Sequence, residues 1–356
     1  MSADMSAVIS PALVDALPAR VYAWGFSFRK RAIVRRFAGE AEVCFVRSLA
    51  AVPDGAVVLL WGSRPLPSEA VGRVQPVRLE DGFLRSVGLG ADLAQPLSWV
   101  LDRRGLYYDA TRPSDLEHIL QSAAFTDELR DRAARLRERI VTSRITKYNV
   151  GAGTWRAPAE ANRVILVPGQ VEHDASLKYG APGVASNIGL LSAVRRANPD
   201  AYLVYKPHPD VVAGLRAKGE NEDAAAQWCD EIVIDVGMDA LLPVVDEIHL
   251  MTSLTGFEAL LRGKNVTCYG QPFYAGWGLT TDILPVTRRK RALCLDELVA
   301  GALIMYPRYA GRTAGCRISP EQALDELLAW RTSSPGVLKA VWRKFLRPVL
   351  RIWRNE

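Results

Sequence analysis

The sequence predicts an α/β protein built from two Rossmann-like domains, and three observations carry that prediction. Apolar, β-rich runs alternate with amphipathic helical patterns, the signature of parallel sheets made from βαβ units. The alternation pauses at a loop holding Gly151, Gly153 and Pro158, then restarts with the apolar run Arg163–Gln170 (RVILVPGQ). A chain of 356 residues is also long enough for two domains of ordinary size.

The elements follow in order. In residues 1–150 the apolar runs predict strands near Arg20–Trp24, Val43–Val46, Val57–Trp61 and Gln75–Leu79. The charged stretch Asp127–Ile145 repeats apolar residues at Leu129, Ala133, Leu136 and Ile140, which predicts a long helix. In residues 151–330 further strands are expected at Arg163–Gln170, Tyr202–Tyr205, Ile232–Asp235, Glu247–Met251 and Val266–Tyr269. Helices are expected at Ile188–Ala197, Ala224–Cys229, Met238–Leu242 and Phe257–Leu261. Two such domains facing a central cleft form a GT-B-like arrangement. Residues 331–356 stand apart as a basic amphipathic tail.

Composition narrows the class. With 49% hydrophobic and 24% charged residues the chain reads as a soluble globular protein, and no apolar run is long enough for a membrane span. The first residues lack the pattern of a secretory signal. Five scattered cysteines without a CxxC pair argue for reduced thiols in the cytoplasm. The four histidines do not sit with cysteines at zinc spacing. Of the net charge of +6, residues 336–356 contribute +5, leaving a nearly neutral body. That distribution argues against nucleic acid as a partner, which would need a basic groove in the fold.

Four segments concentrate reactive residue types at or near predicted strand ends. In Leu79–Gly90 (LEDGFLRSVGLG), Glu80 and Asp81 precede Arg85; the segment is either a turn with a capping acid or part of a site. Val167–Gly180 (VPGQVEHDASLKYG) sets Glu172 and Asp174 in a loop with Gln170, His173, Ser176 and Lys178. A carboxylate there acts as nucleophile or base, or Asp174 caps a helix in a solvated loop. In Val204–Asp210 (VYKPHPD), two prolines fix the backbone and present Lys206 and His208 together. That pairing suits a phosphate leaving group, to which His208 would also donate a proton.

The fourth and most informative segment is His249–Thr280 (HLMTSLTGFEALLRGKNVTCYGQPFYAGWGLT). Thr252, Ser253 and Thr255 precede a short helix, where hydroxyls and backbone N–H groups converge on a phosphate. Thr255 and Glu258 match a capping box, yet Glu258 equally fits a carboxylate pairing with ribose hydroxyls. Gln271, Tyr274, Gly276 and Trp277 then offer stacking surface, either for a ligand or between the lobes.

Taken together and in this order, these segments, with Tyr22–Phe37 (YAWGFSFRKRAIVRRF), resemble the KpsC/LipB group of bacterial capsule polysaccharide proteins over residues 20–310. The resemblance implies a GT-B fold and a retaining β-Kdo transferase that uses CMP-Kdo. Such enzymes build the β-Kdo linker between a phosphatidylglycerol-type lipid and the capsular polysaccharide. KpsC-type proteins carry two such modules and this sequence has one, which leaves acceptor and linkage open. By the resemblance, His208 and Lys206 bind the CMP phosphate, Thr252, Ser253 and Thr255 lie at the nucleotide, and Glu258 holds the ribose. Asp174 matches the catalytic nucleophile. Candidates for the base are Glu172, Asp81 and Glu80, in that order. Arg85 or Lys178 would meet the Kdo carboxylate, with Gln170 and Glu80 among the substrate-binding groups. The segments hold no DxD motif and CMP has one phosphate, so no essential metal and no cofactor beyond the donor CMP-Kdo is expected.

In the tail, Leu338, Val341, Trp342, Phe345, Val349 and Trp353 fall at helical spacing against a Lys/Arg face, interrupted by Pro348. This suits an anionic membrane surface, and with it a peripheral position at the inner membrane beside a lipid-linked saccharide acceptor. The alternative is a helix crossing back onto the first lobe. Two other functional readings remain at this level: a GT-B transferase using another nucleotide sugar, and a non-catalytic protein working with other capsule assembly proteins. Whether Asp174, His208 and Glu258 converge on one cleft separates an enzyme from a scaffold.

Overall fold

The structure, a computed structural model, describes residues 17–86, 95–147, 153–312 and 316–333. The tail and the end of the Leu79–Gly90 segment lie outside these residues. In the first half β1 (Arg20–Trp24) leads through α1 (Phe28–Ala38) to β2 (Glu42–Val46), followed by β3 (Val57–Trp61), β4 (Gln75–Asp81) and β5 (Ser98–Asp102). Helices α2 (Asp115–Ser122) and α3 (Asp127–Thr142) complete it. The second half runs β6 (Val164–Pro168), α4 (Ala175–Gly180), α5 (Asn187–Ala197), β7 (Tyr202–Lys206), α6 (Pro209–Val212) and β8 (Glu231–Ile232). It continues through α7 (Met238–Leu241), β9 (Glu247–Leu250), α8 (Thr255–Leu261), β10 (Asn265–Cys268) and β11 (Thr281–Asp282). Last come α9 (Leu295–Val299), a π-helical turn (Ala300–Met305), β12 (Pro307–Tyr309) and α10 (Pro320–Ser333).

The second sheet is wholly parallel in the order β8-β7-β6-β9-β10-β11. This is the Rossmann order, whose direction reverses between β6 and β9 and opens a crevice at their carboxyl ends. The first sheet has the order β2-β1-β3-β4-β5-β12. Its first four strands are parallel, β5 runs against β4, and β12 runs against β5. Two parallel-rich sheets of this kind make the fold GT-B-like.

The first sheet departs from the sequence reading in two ways. β4 extends to Asp81, so Glu80 and Asp81 are strand residues and not part of the following turn. β5 (SWVLD), buried along its whole length, was not foreseen. Its apolar run is only Trp99–Leu101, bracketed by Ser98 and Asp102, too short to mark a strand on its own.

The expected boundary at residue 330 also needs correction, because β12 lies in the first sheet. The return is held by ion pairs from α3: Arg132 with Glu321, Arg137 with Asp296 and Arg139 with Asp325. Tyr306 adds a hydrogen bond to buried Asp102 at 2.8 Å. α3 itself stops at Thr142, three residues before the expected end, and Arg144 takes a left-handed φ of 52° just beyond. The strand expected at Ile232–Asp235 is the short edge pairing Glu231–Ile232, and the helix expected at Ala224–Cys229 is a 3-10 turn over Glu222–Gln227.

One apolar cluster spans both halves. Phe83, just past β4, stacks on Phe273 at 4.6 Å and lies 6.0 Å from Phe257 of α8. Tyr274 and Trp277 are fully buried, and Trp277 donates to the Phe273 carbonyl at 2.8 Å. The Gly/aromatic loop is therefore packing between the lobes. Gly256 is obligatory against it, since a Cβ there would meet the Tyr274 hydroxyl at 2.3 Å.

Candidate active site

At the crevice of the second sheet, Gln170 follows β6 and Thr252 follows β9. Gln170 Nε2 donates to Thr252 Oγ1, and Thr252 N donates to Gln170 Oε1, both at 2.9 Å. The Gln170 backbone is held in turn by Asn187, through N to Oδ1 and Nδ2 to O at 2.9 Å each. Gln170 is thus a buried tie between loops and not a group reaching into the cleft.

Asp174 is the N-cap of α4, its Oδ1 accepting from Ser176 N at 2.9 Å. The capping reading and the functional one are compatible. One oxygen fixes the side chain, while Oδ2 makes no hydrogen bond among the described residues. Glu172 differs: Oε1 accepts from Asn187 N at 2.7 Å and Oε2 from Glu220 N at 2.9 Å. Both its oxygens clamp backbone, so the carboxylate ranked first as base is committed to structure. Lys178 is exposed, its ammonium 5.2 Å from the Tyr179 ring centroid.

His208 caps α6, with Nδ1 accepting from Asp210 N at 3.1 Å. Accepting there requires the proton on Nε2. Burial, reinforced by the Lys147 charge and opposed by Asp174, pushes the ring pKa down to about 4. At neutral pH the His208 ring is therefore neutral in the ligand-free protein, with its N–H at Nε2. Lys206 donates to the Ile234 carbonyl at 3.2 Å, and burial lowers its pKa.

The capping box of α8 is not formed. Its N-cap is Leu254, without a side-chain cap. Ser253 instead closes a local turn, its Oγ accepting from Thr255 N at 3.2 Å and donating to Thr255 Oγ1 at 3.1 Å. Glu258, 8% exposed, accepts at Oε1 from Lys147 N at 2.6 Å across the lobe junction. Burial raises its pKa, opposed by that amide and by Arg262 and Lys147.

The facing wall comes from the first sheet. Asp81 is paired with Arg85 at 2.6 Å and accepts from Trp99 Nε1 at 3.1 Å. Arg85 also donates to Ser86 Oγ at 2.9 Å. The two residues expected to bind substrate and act as base are thus bound to each other. Glu80 is less committed: among the described residues Oε1 accepts only from its neighbour's amide, Asp81 N, at 3.0 Å. Burial and the adjacent Asp81 charge push its pKa up to about 7, against the pull of Lys147 and Lys30. Lys30 Nζ lies 3.4 Å above the Trp61 ring.

These groups share one field. Asp174 and Glu80 both raise the pKa of Tyr107 and Tyr108, which burial has already raised. Lys147 acts on His208, Glu258 and Glu80 together, and Asp174 reaches that set through His208. Lys147, Lys30 and the tyrosine pair were not anticipated. Tyr107 and Tyr108 follow the unrecognised β5, and Lys147 comes from the junction, which no periodicity marks.

Among the described residues no cluster of three His, Cys, Asp or Glu could hold a metal, and no helix is long and apolar enough to cross a membrane. A recess of about 480 Å³ is lined by Arg20, Val57 and Gln75, which begin β1, β3 and β4. It therefore opens at the amino edge of the first sheet, away from these groups.

Known proteins resemble this chain over most of its length. The family model described as "Capsule polysaccharide biosynthesis protein" matches residues 57–310. The capsule polysaccharide modification protein LipA of Neisseria meningitidis serogroup A is 43% identical over 96% of this chain and 50% of its own length. The chain thus spans about half of LipA. Among solved structures, a Thermosulfurimonas dismutans KpsC β-Kdo 2,7 transferase is 41% identical with a TM-score of 0.74, covering 88% of this chain and 99% of that one. The β-Kdo 2,4 transferase of the same organism's KpsC is 33% identical with a TM-score of 0.74, over 86% and 98%. With the family model matched from β3 through β12, and Glu80, Asp174, His208 and Glu258 inside that match, the chain belongs to the capsule polysaccharide biosynthesis protein family.

Proposed function

We propose that this chain is a retaining β-Kdo transferase, taking Kdo from CMP-Kdo and passing it to a lipid-linked saccharide acceptor of the capsule linker. What supports the reading is that Glu80 Oε2 and the Tyr108 hydroxyl flank Gly62, while the Tyr108 carbonyl packs on Gly180, the last residue of the helix that Asp174 caps, so Tyr108 lies between the two carboxylates. Two carboxylates with different environments suit double displacement. Asp174, which forms no ion pair among the described residues, attacks the anomeric carbon; the bond to the phosphate oxygen breaks and CMP leaves with its electrons. The acceptor hydroxyl then attacks the same carbon, Glu80 takes its proton, and the Asp174 carboxylate is released. Glu80 is suited to this role because a base works best with a pKa near the working pH.

His208 Nε2–H and the Lys206 and Lys147 ammonium groups hold the donor's phosphate and carboxylate, while Thr252, Ser253 and Thr255 lie at the nucleotide. Greater identity to the 2,7 transferase than to the 2,4 transferase favours the 2,7 linkage. The lipid-linked acceptor places the protein at the cytoplasmic face of the inner membrane, peripherally. The test is a transfer assay with CMP-Kdo generated in situ and a Kdo-terminated acceptor. Product from the wild type and none from Asp174→Ala is expected. Equal product from both would reject the mechanism, and none from either would favour another donor or a scaffold.

A further inference from the structure

We propose that the outer face of α1 docks on an anionic phospholipid bilayer at the mouth of the cleft. α1 (FRKRAIVRRFA) carries five cations and no acid. Its buried side is Val34, Phe37 and Ala38. Helical spacing puts Phe28, Arg29, Ala32 and Arg35 together on the opposite, exposed face, flanked by Arg31 and Arg36. Phe28 is 83% exposed, the most exposed large apolar residue among the described residues.

The guanidinium groups of Arg31 and Arg35 are stacked over the half-buried Phe45 ring, at 5.0 and 4.9 Å from its centroid. Neither forms an ion pair among the described residues. The nearby Glu42 is paired with Arg20 at 2.9 Å, and Glu40 lies beyond the end of the helix. Both cations thus stay unneutralised among the described residues, Arg35 exposed and Arg31 half-buried against Phe45.

Charge alone would suit an acidic protein equally well. A protein interface, however, needs an apolar centre of several packed residues, and Phe28 stands alone among cations. A bilayer needs no matching shape: an isolated phenyl enters the headgroup boundary while guanidinium groups meet phosphates. Position gives the second argument. α1 starts just past the carboxyl end of β1, and its inward residue, Lys30, acts on Glu80 and Asp81. A bilayer on the outer face would therefore lie next to the acceptor wall. The choice of a bilayer rests on the lipid-linked acceptor proposed above; the surface itself does not.

The test uses the full-length chain and co-sedimentation with phosphatidylcholine vesicles, with and without phosphatidylglycerol. Because residues 336–356 carry a further +5, each variant is compared with full-length wild type and not with zero binding. Arg31→Ala/Arg35→Ala is expected to weaken partition onto anionic vesicles roughly 30-fold and Phe28→Ser roughly 10-fold, with no difference on phosphatidylcholine alone. Wild-type chain that ignores anionic vesicles, or variants that partition like wild type, would overturn the proposal. Transfer to a water-soluble acceptor should be unchanged in both variants. Loss of that activity in wild type with the vesicle pattern intact would reject the transferase reading and leave the docking surface standing.

Discussion

Gln170 and Thr252 exchange two hydrogen bonds of 2.9 Å across the point where the second sheet reverses direction. The amide thereby fixes the spacing between the Asp174 loop and the Thr252–Thr255 turn. Gln170→Ala leaves the Thr252 amide without its acceptor, a loss of about 1–3 kcal/mol. The expected outcome is a lower Tm and a donor KM raised at least tenfold, with kcat less affected, measured by thermal melts and initial rates.

Glu80 and Glu172 should separate cleanly. Glu80→Gln is expected to lower kcat by roughly 10²–10⁴-fold, the usual range for a lost general base. Because burial raises the Glu80 pKa from 4.5 to about 7, its ionisation opposes folding. That opposition is absent below pH 4.5 and grows as pH rises through 7, so Glu80→Gln should gain about 1–2 kcal/mol at pH 8. Glu172→Ala does the reverse, losing about 1–3 kcal/mol with its two amide contacts while keeping most of its kcat below the melting range. The kcat/KM of wild type should fall below about pH 7. Lys30→Ala, which removes a nearby positive charge, should move that limb to higher pH.

His208 predicts an acid sensitivity of the opposite sign. Its pKa falls from 6.5 to about 4 on folding, so its contribution is complete above pH 6.5 and is lost as pH falls through 4. His208→Gln, neutral at every pH, should resist acid unfolding across that window by about 1–2 kcal/mol after discounting for partial exposure. In transfer assays at pH 7.5 the glutamine variant should outperform alanine, since it keeps a neutral donor.

The lobes are also joined by charge. Glu117 of α2 meets Arg288 at 2.5 Å and Arg289 at 2.9 Å, and the Arg289 side chain is 3% exposed. Glu117→Ala strands a buried guanidinium and should cost about 3–5 kcal/mol, seen in denaturant melts. Adding Arg289→Met should recover part of that loss.

The elements that were legible in the sequence are those with a strong local pattern. β1, β3 and β6, the α3 stripe and the strand-end motifs are all visible as spacing. β5 and β12 were not, because β5 holds only three apolar residues, Trp99–Leu101, between the polar Ser98 and Asp102, and β12 is three residues whose pairing depends on a distant part of the chain. The same limit applies to the site. The sequence exposes Asp174 and His208 through their loops, but residue type alone cannot show that Asp81 is committed to Arg85 or Glu172 to two amides. Those commitments are why the proposed mechanism takes Glu80 and not Glu172 as base, and they exist only once both sheets are in place. Lys147 carried no signal at all, since its importance lies in the junction it occupies.

The central claim is that Asp174 forms a bond to the sugar, and trapping that bond tests it most directly. Glu80→Gln protein would be incubated with CMP-Kdo and acceptor, and its intact mass and peptides measured. The account predicts a Kdo adduct on the peptide carrying Asp174, absent in Asp174→Ala/Glu80→Gln. An adduct on another residue, or transfer sustained by Asp174→Ala, would contradict it.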